Sequence, residues 1–178
     1  MKSIKKLKSV AVGNITIQNY KTFPSMEWGE DGGLDADICV DKIPVVHIYQ
    51  EGNGGCALDT VLNKELLPSL KENVLKVLKK YDDGYQKYGW LKTKTVENID
   101  ADDFESFINV MAQRHDDIKL LESRNKKLMH DTFAFVEDGA MRQTWTFDSK
   151  RLPIENAKKQ INKPNLVILT LEELRQPM

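Results

Sequence analysis

Residues 34–55 read LDADICVDKIPVVHIYQEGNGG, and this stretch decides the fold class. Ala36, Ile38 and Val40 alternate with Asp35, Asp37, Cys39 and Asp41, the period-2 pattern of a strand with one buried face. A second β-branched run follows from Val45 to Tyr49. Two such runs joined by a short connection predict a β-hairpin. Pro44 has no N–H for a ladder, which places the turn at Lys42-Ile43-Pro44. A three-residue loop pairs Asp41 with Val45, Val40 with Val46 and Ile38 with Ile48. Ile38, Val40, Val46 and Ile48 then share a buried face, with Asp35 and Asp37 outside it beside Cys39, His47 and Tyr49. A two-residue loop would set His47 against Ile38 and mix the faces, so the first register is preferred. Gly52-Asn53-Gly54-Gly55 ends the hairpin as a structural loop, with positive φ expected at one glycine or more.

Working outward, Val10, Val12, Ile15 and Ile17 mark a strand over Ser9–Tyr20, with Gly13 breaking the alternation as a bulge would. A loop with Phe23, Pro24, Met26 and Trp28 leads into the hairpin. After the glycine loop, Leu66, Leu70, Val74, Val77, Leu78 and Tyr81 fall at helical spacing. Ser69-x-x-Glu72 reads as a capping box, so the helix is expected over about 69–81 after a short turn near Pro68. Asp100 or Asp102 caps a second helix reaching about residue 123, striped by Phe104, Phe107, Ile108, Met111, Ile118 and Leu121. A second hairpin is expected from Leu128–Val136 and Met141–Phe147 about a turn at Asp138-Gly139. A short helix over Pro153–Ile161 and a strand over Asn165–Leu171 complete the chain. The expected fold is a single α+β domain over 1–178, with the helical stretch of about 60–123 as a candidate sub-domain. It has an antiparallel β-sheet of hairpins, two central helices and a short C-terminal helix plus strand.

The chain has 178 residues, 30% of them charged, and a net charge of −1. The charge is segregated. Residues 1–22 hold Lys2, Lys5, Lys6, Lys8 and Lys21 with no acid. Residues 23–60 hold Glu27, Glu30, Asp31, Asp35, Asp37, Asp41, Glu51 and Asp59 against Lys42 alone. Cys39 and Cys56 read as free thiols in a reducing compartment. The lysine-rich start is followed too soon by Gly13 and Asn14 for a signal peptide, and no apolar run reaches membrane-spanning length. These features point to a soluble, cytoplasmic protein without a membrane partner.

Four chemistries were weighed against plain structural roles. Asp35, Asp37, Asp41 and His47 resemble metal ligands, but same-face strand neighbours stand about 7 Å apart, so a solvated acidic face is the better reading. The GNGG loop matches no phosphate-binding motif, and Glu51 and Asp59 flank it with the wrong charge. His115-Asp116-Asp117 and His130-Asp131 are sequence neighbours that do not face one another on a helix. No nucleophile elbow, zincin or Cys-x-x-Cys pattern is present. The reading therefore assigns no catalytic residue, no metal and no cofactor. Lys2, Lys5, Lys6 and Lys8, with Lys150, Arg151, Lys158 and Lys159, are the nucleic-acid contacts of an alternative reading.

The hairpin with Val40-Asp41, Val45 and Ile48, ending in Glu51-Gly52-Asn53-Gly54-Gly55, resembles small uncharacterised proteins of bacteriophages and other mobile elements. The C-terminal helix and apolar strand fit the same resemblance, which covers about a third of the chain. Lys42 stands where that pattern has glycine. The resemblance carries no functional residues across. It implies a non-enzymatic phage or mobile-element accessory protein that binds a protein partner, in the manner of an anti-CRISPR inhibitor of host defence. The sequence itself offers the acidic surface of Glu27, Glu30, Asp31, Asp35, Asp37 and Asp41 for a basic partner. The alternatives are nucleic-acid binding through the basic termini and an uncharacterised metal-dependent hydrolase. The oligomeric state is not set by the sequence.

Overall fold

The computed structural model describes residues 13–23, 32–52, 55–81, 89–128, 132–137, 143–160 and 166–176. The fold is α+β, with antiparallel sheets and helices in the order β1 (Ile15–Phe23), β2 (Gly33–Val40), β3 (Ile43–Gln50), β4 (Leu58–Val61), α1 (Leu67–Tyr81), a 3₁₀ turn (Trp90–Lys92), α2 (Ala101–Leu128), β5 (Thr132–Glu137), β6 (Gln143–Asp148), α3 (Ile154–Gln160), β7 (Leu166–Thr170) and α4 (Leu171–Arg175). Contacts divide the chain into two compact units, 1–112 with 177–178, and 113–176.

In the first unit, β1-β2-β3-β4 form one antiparallel meander. Its inner face buries Ile15, Ile17, Leu34, Ala36, Ile38, Val46 and Ile48. α1 packs against β3 and buries Leu70, Val74, Leu75, Val77 and Leu78. Phe104, Phe107, Ile108 and Met111 of α2 are also fully enclosed. Ile38, Val40, Val46 and Ile48 are all buried, as the alternation requires. Asp35 and Asp37 sit on the other face, partly exposed.

The turn itself differs from expectation. Val40 pairs with Ile43 and Cys39 with Pro44, so the loop is two residues, Asp41-Lys42. Both have positive φ, 50° and 68°, the mirror-image turn whose twist matches that of the flanking strands. The register then shifts between Ile38 and Cys39, and Ile38 meets Val46 while Asp37 meets His47. This bulge restores separate faces, which the three-residue loop was invoked to achieve. Pro44 therefore lies inside β3. In a two-residue hairpin its position turns the N side away from β2, so the missing donor costs the β2–β3 ladder nothing. Cys39, expected on the open face, is fully buried.

Other boundaries shift for local reasons. The irregularity in β1 lies between Gln18 and Lys21, where Asn19 has φ 54°, and not at Gly13, which occupies the preceding turn. Residues 58–61, expected at the edge of a helical region, form β4 instead. α1 begins at Leu67, with Pro68 in its first turn, where a missing N–H does no harm. Ser69 lies inside this helix and is not its cap. The chain is turned into α1 by Asn63, whose Oδ1 accepts from the N–H groups of Glu65 and Leu66 at 3.0 and 3.2 Å.

α2 is capped by Asp100. Its Oδ1 accepts from Asp103 N–H at 3.2 Å, and Asp103 Oδ2 accepts from Asp100 N–H at 2.9 Å. Lys94 bridges both carboxylates at 2.9 and 2.7 Å. The helix runs five residues past the expected end, taking Leu128 out of β5.

In the second unit, β5 lies between β6 and β7, all antiparallel. Phe133 faces Phe147 and Phe135 faces Trp145 in register; the turn expected at Asp138-Gly139 lies outside the described residues. Leu171, expected to end the last strand, opens α4, a helix the sequence reading omitted. Thr170 and Glu173 form its reciprocal cap. Arg114 of α2, 5% exposed, closes the opposite end. Its Nε donates to Leu174 O at 2.9 Å, and its Nη2 to Glu173 O at 2.9 Å and Gln176 O at 3.1 Å. These are carbonyls that a helix C-terminus leaves without partners, and a cation there also meets the negative end of the helix dipole.

Candidate functional site

The outer face of the β1–β3 sheet carries the functional candidates. Strand register sets two neighbouring rows across it. One is Lys21–Asp35–Tyr49 and the next is Gln18–Asp37–His47. Leu58 and Thr60 of β4 extend these rows beside Tyr49 and His47.

Both carboxylates of the rows have polar partners. Lys21 Nζ lies 3.3 Å from Asp35 Oδ2. His47 stands between two carboxylates, with Nδ1 2.8 Å from Asp37 Oδ1 and Nε2 3.9 Å from Asp35 Oδ1. Asn19 Nδ2 donates to Asp37 Oδ2 at 2.5 Å, a contact made available by its left-handed backbone at the β1 irregularity. The row is half-open to solvent: side-chain exposure is 37% for His47, 25% for Asp35 and 14% for Asp37. Tyr49 is exposed beside it, its ring 5.9 Å from that of Phe23.

The expected acidic surface is thus only partly assembled here. Asp35 and Asp37 share a face. Asp41 sits in the hairpin turn, where its carboxylate accepts from Asn14 Nδ2 at 2.8 Å and its N–H donates to Asn14 O at 3.0 Å. Glu27, Glu30 and Asp31 lie outside the described residues, as do Lys2, Lys5, Lys6 and Lys8. Lys150, Arg151 and Lys159 are exposed in the second unit, near the start and within α3. The side chain of Lys158 lies outside the described residues.

The glycine loop has a structural explanation. Gly52 has φ 79°, and a Cβ there would strike the backbone N of Gly33. Buried Gln50 ties the loop from inside: its Oε1 accepts from Gly52 N–H at 2.7 Å and its Nε2 donates to Gly55 O at 3.3 Å. The Gly52 N–H is therefore already satisfied within the chain. Asn53 and Gly54 lie outside the described residues.

Among the described residues, no group of three or more His, Cys, Asp and Glu side chains is placed to hold a metal ion. No described helix is long and apolar enough to cross a membrane. Cys39 and Cys56 are free thiols, one buried and one exposed. Burial, and then the Asp37 carboxylate, push the Cys39 thiol up from 9.0 to about 11. It is held as a neutral thiol, the opposite of what a nucleophile needs.

His47, Asn19 and Gln50 were absent from the sequence-derived binding set. His47 was visible there as a polar residue on the Asp37 face. The roles of Asn19 and Gln50 depend on the irregularity in β1 and on loop closure, which have no sequence signature. Comparison with protein-family models, curated proteins and solved structures finds no match to this chain.

Proposed function

We propose that this chain is a non-enzymatic protein-binding factor that docks its partner on the outer face of the β1–β3 sheet. The observation that supports this reading is the half-open row of Asp35, His47 and Asp37 beside exposed Tyr49. A rigid sheet holds these side chains, and an aromatic anchor next to fixed polar groups is the composition of an interface centre. Lys21 pairs with Asp35, and Asn19 and His47 hydrogen-bond Asp37, so these partnered groups set orientation and partner choice more than bulk attraction. The resemblance of the hairpin and GxGG stretch to phage and mobile-element proteins extends the proposal: the partner is a component of host defence with a complementary basic surface.

The test is capture from a bacterial lysate by wild type and by an Asp35→Lys/Asp37→Lys variant with an unchanged melting temperature. A partner retained by wild type and lost by the variant supports the reading. Equal retention by both removes this face from the account. Retention of nucleic acid alone, weakening steeply with salt, replaces it with the alternative of the basic segments.

A further inference from the structure

We propose that two copies of this chain join through the free edge of β4, making one continuous antiparallel sheet about a two-fold axis at Thr60. The four-stranded sheet has two edges, β1 and β4. The β1 edge is blunted by a register irregularity, by left-handed Asn19 and by Lys21. These are the devices that stop a sheet from adding strands. β4 is only four residues long and carries Asp59, but it has no irregularity, no left-handed residue and no basic side chain. Its sequence, LDTV, contains no lysine, arginine or proline, and its register with β3 is unbroken. All four residues are exposed, Leu58 at 64%, and Leu62 just beyond them is 52% exposed. Among the described residues, β4 has no second neighbouring strand.

The occupant follows from the register. An antiparallel pairing of identical strands must set like faces together, so the axis passes through a residue facing itself. An axis at Asp59 would place two carboxylates directly opposite, which is repulsive. An axis at Thr60 places Thr60 against Thr60, Asp59 against Val61 and Leu58 against Leu62. Threonine pairs and apolar pairs are favourable cross-strand neighbours.

The backbone agrees with this choice. Leu62 N–H donates to Val45 O at 2.9 Å, so it faces β3. By strand alternation the N–H and C=O groups of Leu58 and Thr60 face β3 as well, and those of Asp59 and Val61 face outward. The Thr60 register brings these outward groups together in two hydrogen-bonded pairs, four bonds in all. It also covers Leu58 and Leu62, which otherwise remain in water. The contact is small, so the dimer forms in a concentration-dependent manner.

Sedimentation equilibrium of the full chain from about 5 to 500 µM tests this. The expected result is a monomer–dimer equilibrium. Asp59→Pro removes an outward N–H without touching the β3 ladder, and Thr60→Lys sets two ammonium groups opposite each other. Each is expected to weaken association at least about tenfold with the melting temperature preserved. If Asp59→Pro unfolds, Thr60→Lys carries the test. In a Cys56→Ser background, Thr60→Cys is expected to form a covalent dimer on oxidation. Facing residues of a non-hydrogen-bonded pair lie about 4.5 Å apart at Cα, within disulfide reach. Asp59→Cys, which faces Val61, is expected to form far less. A monomer throughout the range, or equal cross-linking by the two cysteine variants, overturns the proposal. Partner capture is read separately with the Asp35→Lys/Asp37→Lys variant, and Asp59→Pro tests association without changing that row, so failure of one proposal leaves the other standing.

Discussion

Replacing Arg114 with leucine removes three hydrogen bonds from the C-terminal end of α4. Arg114 is 5% exposed, and its guanidinium donates to three carbonyl oxygens at 2.9–3.1 Å. A hydrogen bond to a charged group contributes about 1.5–3 kcal/mol net, so three give an upper bound of roughly 4.5–9 kcal/mol. The helix can escape part of this cost by undocking, which hydrates its carbonyls but exposes Leu174, 1% exposed in the fold. Exposing a buried leucine costs about 1.5–3 kcal/mol, and the Thr170–Glu173 cap survives undocking. Undocking is the cheaper route, so the expected loss is about 1.5–3 kcal/mol, confined to the second unit. Arg114→Lys keeps the charge but not the fork, and falls between wild type and leucine. Urea unfolding followed by circular dichroism gives the stability, and hydrogen exchange of residues 166–176 gives its location. A loss below about 1 kcal/mol with unchanged exchange there would refute the clamp.

Gly52→Val is expected to destabilise the first unit by more than about 2 kcal/mol, because it adds a left-handed penalty to a clash with Gly33; urea titration reads this. Ile38→Ala, at a fully buried position, should cost about 2–5 kcal/mol in the same assay. In native protein a thiol reagent should modify Cys56 alone, with Cys39 reacting only on unfolding. The raised Cys39 value means a contribution to stability that is present below its ordinary range and lost as pH rises from 9.0 to about 11; a Cys39→Ala variant should lack that alkaline loss. Burial raises Asp100, but Lys94 and the N–H groups of Asp103 and Asp102 outweigh it and hold the carboxyl low. That stabilisation is present above the ordinary carboxylate range and lost as pH falls through the depressed value. The melting-temperature gap between wild type and Asp100→Asn should therefore begin to narrow below about pH 4 and vanish only at still lower pH.

Much of the fold was legible because burial follows period. The alternation in β2 and β3 identified Ile38, Val40, Val46 and Ile48 as buried, although the turn was misplaced by counting Pro44 within it. Proline excludes only positions whose N–H points into the ladder, and Pro44 does not occupy one. β4 was missed because four exposed residues, LDTV, carry no alternation to detect. The α2 stripe was read through Phe104, Phe107, Ile108, Met111, Ile118 and Leu121, all of them buried. Its gap between Met111 and Ile118 is filled by buried Arg114 and His115 at the next helical spacings. An arginine at a core position was the available signal for the α4 clamp, since buried guanidinium demands acceptors. The polar row was half legible: strand parity puts Asp35, Asp37, His47 and Tyr49 on one face. The contacts of Lys21 and Asn19 with that row require the β1 register, which no local pattern specifies.

On the outer sheet face, Tyr49 is the most discriminating residue of the proposed binding surface. The dissociation constant of the purified partner, measured for wild type and Tyr49→Ser, tests it most directly. Tyr49 is exposed, so its loss should leave the melting temperature within about 2 °C. An aromatic anchor at an interface centre carries about 2 kcal/mol or more, so the account predicts binding weakened roughly 30-fold. Identical dissociation constants for the two proteins would contradict it.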